Sequence, residues 1–340
     1  MSILFEPFAL GRFLLRNRFV RSATAECRCD REGFPKPDLF PLYAALAEGE
    51  VGLIITGHFY IHPERKCSPG QAGLWSDRHI APFQRLADEV HSRGGIIVAQ
   101  LNSSAIAPES ATAGDLREIV ACFASAARRA VAAGFDGVQI HAAHGYLLSN
   151  FITPATNRRL DSYGGTGEGR MRLLLEIVRA CRYEMPSDLL LLCKLGAKDG
   201  QENSLALEEA IAIAKALAAE GTMAIEISCG RSGPYAQPVV KDIADDSQEA
   251  YFAPIAAAIK SAVSIPVMLV GGLRSLAVMD RLVQDGVCDL VSLCRPFIRE
   301  PDLVQRLRGG LTARSACVSC NGCFSLRSVR CAQKAAACQA

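Results

Sequence analysis

The sequence predicts an α/β fold, a (β/α)8 TIM barrel with a short Cys-rich C-terminal extension. Short aliphatic strands alternate with amphipathic helices, eight such strands can be counted, and the chain is 340 residues long. A (β/α)8 barrel takes about 250 residues and exceeds 400 with insertions, so one large domain accommodates the whole series. Alternating units imply a parallel sheet, and eight of them favour closure; pattern alone leaves a doubly wound open sheet as the alternative. The organisation expected is a barrel over residues 1–310 and a Cys-rich tail over residues 311–340.

The first strand is Asn17 to Ala23. A joint of helix end, glycine and strand then recurs. It places Gly49 before Val51 to Thr56, Gly95 before Ile96 to Leu101, Gly134 before Gly137 to His141, Gly221 before Met223 to Ser228, and Gly286 before Asp289 to Leu293. A glycine past a helix end closes it in the left-handed conformation, and each following run is short enough for a parallel strand buried on both faces. Leu189 to Leu195, after a helix over Arg170 to Met185, and Pro266 to Val270, after a helix over Glu249 to Ala262, complete the eight. In the helix after the third strand, Asp115 with Glu118 reads as a capping box. Leu116, Ile119, Val120, Phe123, Ala127, Ala130 and Val131 then share one face.

Composition excludes several classes. Lys+Arg 37 against Asp+Glu 35 gives a formal net charge of +2 without basic runs, which argues against nucleic acid or a membrane surface as partner. No apolar run approaches the roughly 20 residues that span a bilayer. The N-terminal segment is interrupted by Glu6, Pro7, Arg12 and Arg16 and lacks a small-residue cleavage site, so it does not read as a signal peptide. Its 14 cysteines are therefore expected as reduced thiols in a cytoplasmic protein, with a subset available for metal. Association of copies into a homo-oligomer is left open.

In a barrel, chemistry collects where the strands end. The seventh and eighth strands end in Gly271-Gly272 and Cys294-Arg295-Pro296. Two glycines leave backbone N–H groups accessible to a phosphate dianion, and an arginine one loop away adds a bidentate contact. Gln100 closes the third strand with an amide that can both donate and accept, and Lys194 is a cation among leucines at the end of the fifth. After the fourth strand come His141, His144 and Tyr146, a dense group of proton donors. A metal at the histidine pair would need further ligands, and Asp136 and Glu226 lie on other segments.

The stretch His141 to Gly165, HAAHGYLLSNFITPATNRRLDSYGG, resembles the signature of the old yellow enzyme family of flavin-dependent oxidoreductases. The resemblance implies FMN as cofactor, NADH or NADPH as reductant, and an activated alkene such as an α,β-unsaturated carbonyl as the small-molecule substrate. Gly271, Gly272, Cys294 and Arg295 would hold the flavin phosphate, Gln100 the pyrimidine ring, and Lys194 the N1 side of the ring. His141 and His144 would bind the carbonyl oxygen, with Tyr146 as proton donor. Arg18 to Glu26 matches a variant of the family's first-strand motif, from which Ser22, Ala23 and Ala25 would contact the flavin. Ala23 stands where many members have Pro, and Ala25 where many have Thr or Cys, so a side-chain contact that tunes the flavin is lost. The motif QLxHxGR after the third strand is replaced by Gln100-Leu101-Asn102-Ser103-Ser104-Ala105, which removes the usual histidine and arginine and shortens the covering loop.

Cys317, Cys320 and Cys323 follow a CxxCxxC pattern, with Cys331 and Cys338 downstream. Cys317, Cys320, Cys323 and Cys331 can ligate an iron–sulfur cluster or zinc, or remain metal-free. The segment resembles that of the dienoyl-CoA reductase branch, which carries a [4Fe-4S] cluster, with shorter spacing. That branch continues into further redox domains, whereas this sequence ends at Ala340, so a cluster here is expected to lack an electron donor in the same chain. The alternatives carried forward are a metal-dependent barrel hydrolase using His141 and His144, and a catalytically degenerate flavin- or metal-binding barrel.

Overall fold

A computed structural model describes residues 2–231, 238–324 and 328–337. The barrel strands are β1 (Phe19–Arg21), β2 (Leu53–Ile55), β3 (Ile97–Asn102), β4 (Gly137–Ala142), β5 (Leu190–Gly196), β6 (Ala224–Ser228), β7 (Val267–Val270) and β8 (Leu290–Leu293). Each lies parallel to its neighbour, and the ring closes through Ser292 of β8 against Val20 of β1. All eight expected strands are present with ends shifted by one or two residues, and closure removes the open-sheet alternative.

The helices are α1 (Phe40–Glu48), α2 (Ile80–His91), α3 (Ala113–Ala132), α4 (Gly167–Tyr183), α5 (Leu207–Ala219), α6 (Ala253–Lys260), α7 (Leu276–Gln284) and α8 (Leu303–Arg308). Short helices Leu147–Ile152 and Arg295–Arg299 are inserted after β4 and β8. No helix among the described residues is long and apolar enough to cross a membrane.

Three local expectations are corrected. The capping box of α3 is Thr112 with Asp115, not Asp115 with Glu118: Thr112 N–H donates to the Asp115 carboxylate at 2.8 Å, and Asp115 N–H donates to Thr112 Oγ1 at 3.2 Å. At the end of α1, Gly49 has φ −70°, and the left-handed residue is Glu50 at φ 62°. Gly49 is needed for close approach instead, since a Cβ there would meet Pro301 O at 2.0 Å. After α2 the left-handed residue is Gly94, not Gly95.

Inside the barrel the packing is layered. Val20, Leu53, Ile55, Val98, Leu190, Leu192, Ala224, Met268 and Leu290 form an apolar layer. Leu10 and Leu15 of an antiparallel hairpin, Phe8–Leu10 with Phe13–Leu15, pack against this layer and plug its base. Burying a leucine in this way stabilises the fold by about 1.5–3 kcal/mol. The larger core lies outside, between strands and helices, where Leu116, Ile119, Phe123, Ala127 and Ala130 of α3 are buried as its periodicity requires.

Candidate active site

At the C-terminal ends of the strands a cavity of about 460 Å3 opens. Its wall brings together the residues expected to be catalytic or to bind the cofactor, His141, His144, Tyr146, Ser22, Ala23, Ala25, Gln100, Lys194, Gly271, Gly272, Cys294 and Arg295, but not the four tail cysteines expected as metal ligands. The convergence comes from closure, because eight strand ends distant in sequence share one rim.

On one side, the β7 loop turns through Gly271 at φ 145° and Gly272 at φ 73°. A Cβ on Gly272 would lie 2.6 Å from Ile243 and 2.7 Å from the Tyr251 ring, so only glycine fits this turn. Beyond it, Glu249 accepts from Arg274 N–H at 2.7 Å and Ser275 N–H at 2.9 Å and already caps the start of α7. The N–H groups that lead into α7 are therefore already occupied. The buried Arg295 guanidinium donates to Val240 O at 2.8 Å, Ser319 O at 3.2 Å and Asn321 Oδ1 at 2.7 Å.

Across the floor runs a buried polar chain. Gln100 Nε2 donates to Gln139 Oε1 at 2.7 Å, and Gln139 Nε2 donates to Glu226 Oε2 at 3.0 Å. Lys194 Nζ lies 3.3 Å from the same Glu226 oxygen and donates to Ser22 Oγ at 2.8 Å. The register explains the chain: Gln100 stands beside Gln139, and Lys194 beside Glu226. Lys194 is therefore ion-paired as well as lining the cavity. At β1, Glu26 pairs with Arg21 at 2.6 Å and accepts from Gly57 N–H at 3.0 Å, which fixes the bend that presents Ser22 to Ala25.

Opposite stand the imidazoles and the phenol. The rings of His141 and His144 are 5.3 Å apart and nearly perpendicular, and Tyr146 lies 5.1 Å from His141. His144 Nε2 is 2.7 Å from Ser228 Oγ, and its backbone sits in the left-handed region at φ 65°. A non-glycine residue held there carries strain, as is common at functional sites. Burial holds both imidazoles neutral, His144 down to about 3 and His141 well below the usual histidine range. Burial also pushes the Tyr146 phenol up to about 12, so it keeps its proton.

The residues fit a bound flavin mononucleotide. The glycine turn lines the cavity, and its positive φ angles and close packing against Tyr251, Phe252 and Ile243 admit no side chain there. In the same cavity His141 Nδ1 and Ser292 Oγ are buried with no hydrogen-bond partner among the described residues, polar atoms that a ligand could satisfy.

Sequence reading passed over three contributors. Gln139 and Glu226 complete the floor; a charged residue inside the apolar run Ile225 to Ile227 was a usable signal. His58, buried at the end of β2, also lines the cavity. The tail was expected as an appendage, yet Ser319, Phe324 and Val329 form part of the wall. Val329 N–H donates to Glu26 O at 3.0 Å and Ser315 N–H to Arg274 O at 3.0 Å, so the tail is bonded across the barrel mouth.

Cys317, Cys320, Cys323 and Cys331 line one small cavity of about 20 Å3 behind Arg295. Among the described residues, no group of three or more His, Cys, Asp or Glu converges as ligands for a metal ion. That holds for these thiols and for the pair His141 and His144. Space on the scale of one water does not hold a four-iron cluster, so the described residues present no preformed site for one. Cys338 lies outside the described residues.

The family model for the NADH:flavin oxidoreductase / NADH oxidase family matches residues 3–111 and 102–314. The chain belongs to this family. It is 31% identical over 352 residues to an NADH oxidase of Thermoanaerobacter brockii, covering 95% of this chain and 54% of that protein. The structure superposes on 2-naphthoyl-CoA reductase in complex with 2-naphthoyl-CoA with TM-score 0.85 at 25% identity, over 95% of this chain and 54% of the other. The old yellow enzyme homologue from Zymomonas mobilis shares the fold with TM-score 0.80 at 24% identity, over 97% of both chains. The chain thus spans about half the length of the first two relatives. The flavin oxidoreductase family model ends at residue 314, just before the cysteine segment.

Proposed function

We propose that this chain is an FMN-dependent oxidoreductase that takes hydride from NADH or NADPH and reduces an activated alkene, an α,β-unsaturated carbonyl compound or similar electrophile, in a ping-pong cycle in the cytoplasm. The observation that carries the reading is that His141, His144 and Tyr146 share one cavity with the Gly271–Gly272 turn, Gln100 and Lys194.

Bound flavin would supply the hydride chemistry, passing two electrons from nicotinamide to the alkene. Gly271, Gly272, Cys294 and Arg295 would hold its phosphate, Gln100 and Lys194 its pyrimidine side, and the Ser22 to Ala25 backbone its opposite edge. His141 and His144, neutral and therefore each with one N–H to donate, would hold the carbonyl oxygen and stabilise the negative charge that develops there. Tyr146 keeps its proton at neutral pH and would deliver it to the α-carbon. The histidine pair thereby acts on oxygen and the tyrosine on carbon.

The visible spectrum of the purified protein tests this reading: it should show bound flavin that NADH or NADPH bleaches anaerobically and that cyclohexenone reoxidises. A colourless protein, as a metal hydrolase would be, or flavin that neither nucleotide reduces, as in a degenerate barrel, overturns it. For the tail, the reading adds a soft metal centre, iron–sulfur or zinc, at Cys317, Cys320, Cys323 and Cys331, formed only as the segment closes around it. Iron, sulfide and zinc contents of an anaerobic preparation decide between them, and the absence of all three removes the centre.

A further inference from the structure

Glu226 is bonded toward both groups assigned to the pyrimidine side of the flavin, yet it does not line the cavity itself. It stands between Ile225 and Ile227 on β6 and is fully buried. Its Oε2 lies 3.3 Å from Lys194 Nζ and accepts from Gln139 Nε2 at 3.0 Å, while its Oε1 is buried with no partner among the described residues. A buried ion pair with an unsatisfied oxygen is a poor device for stability, because a well-packed apolar pair of the same size would serve the fold as well or better. The pair therefore calls for a second role.

The hydrogen bonds give the floor a direction. A carboxylate only accepts, so the Gln139 amide turns its Nε2 to Glu226 and its Oε1 to Gln100. Gln100 then donates Nε2 to Gln139 at 2.7 Å, and its Oε1 is left for a donor in the cavity that it lines. On the other arm, two of the three Lys194 N–H groups are engaged, by Ser22 Oγ at 2.8 Å and by Glu226, which leaves one for a ligand. The register that sets Lys194 beside Glu226 and Gln100 beside Gln139 holds both arms in place.

We propose that Glu226 is a positioning residue that sets the reduction potential of the bound flavin, holding it below the value that Lys194 alone would impose. The inference rests on the FMN reading above and deepens it with a residue that touches no ligand. Reduced flavin carries negative charge on its pyrimidine side, so an unopposed ammonium there would favour the reduced form and hold back its hydride. With Glu226 as counter-charge, Lys194 still donates a hydrogen bond to the ring but exerts a weaker net field on it. The same carboxylate fixes, through Gln139, which end of the Gln100 amide meets the ring.

The test is a redox titration of the FMN-loaded protein against a dye of known potential. Glu226→Gln should favour reduced over oxidised flavin about tenfold relative to wild type, a rise in midpoint of about 30 mV for a two-electron couple. Glu226→Asp keeps the charge and should hold that preference within about twofold of wild type. Glu226→Met is the second charge-free variant should Glu226→Gln not accumulate. A midpoint equal to wild type in the charge-free variant would show that the pair serves only the fold and would overturn the proposal. A wild-type protein that binds no flavin would instead overturn the FMN reading itself.

Discussion

Lys194 Nζ lies 3.3 Å from Glu226 Oε2 on adjacent strands, with both side chains buried under the cavity floor. Two charges removed from water are tolerated because each satisfies the other, and because Ser22 and Gln139 take up further bonds. Glu226→Gln would leave the ammonium buried without its counter-charge. Urea unfolding of this variant should show a loss of about 3 kcal/mol, and stability unchanged from wild type would mean that the pair contributes nothing.

Tyr146→Phe removes the proposed proton donor and nothing else. In anaerobic stopped-flow, flavin reduction by NADPH should proceed at close to the wild-type rate, while reoxidation by cyclohexenone slows about 100-fold. Equal losses in both half-reactions would reject the proton-donor role.

Arg295→Ala removes a side chain that lines the cavity with the glycine turn and whose guanidinium ties Val240, Ser319 and Asn321 together. The variant should purify largely without flavin and should be cut by trypsin in the tail faster than wild type. Full flavin occupancy would count against Arg295 as a phosphate ligand.

Gly272→Ala introduces a Cβ 2.6 Å from Ile243 at a left-handed backbone position. Strain of about 1–3 kcal/mol is expected, read as weakened flavin retention in ultrafiltration. Retention equal to wild type would mean that the turn relaxes freely.

Stability should fall in mild acid. His58 and His144, lowered to about 4 and about 3 by burial, bind fewer protons when folded than when unfolded. Their contribution is complete above the unfolded value of about 6.5 and is lost as pH falls toward the folded values, at up to about 1.4 kcal/mol per pH unit for each group. The urea midpoint should therefore drop between about pH 6.5 and 5, before most carboxylates titrate, and the slope should be shallower in His58→Gln. A midpoint flat across this interval would show that the histidines are not held neutral.

Much of this site was legible in the chain because barrel chemistry sits at strand ends, and strand ends can be found from periodicity. His141, His144, Tyr146, Gln100, Lys194, Gly271, Gly272 and Arg295 were all reached in that way, and all line the cavity. Gln139 and Glu226 were not, because a polar residue within a strand gives no sign of which neighbour will satisfy it. His58 was not, because the side chains that hold it, Asn102 and Gln71, are 44 and 13 positions away. The N-terminal hairpin was missed because it earns its place only by plugging a barrel base that exists once the ring has closed.

By itself the sequence determined the alternation of elements, the count of eight and the residue types at each strand end, all of which are local properties of pattern and propensity. Tertiary structure alone decided the rest: that Lys194 is paired with Glu226, that His58 lies against Gln71 and Asn102, and that the tail closes over the barrel through Ser319 and Val329. Those outcomes depend on which groups distant in sequence share a low-dielectric interior, where every buried charge and donor must find a partner.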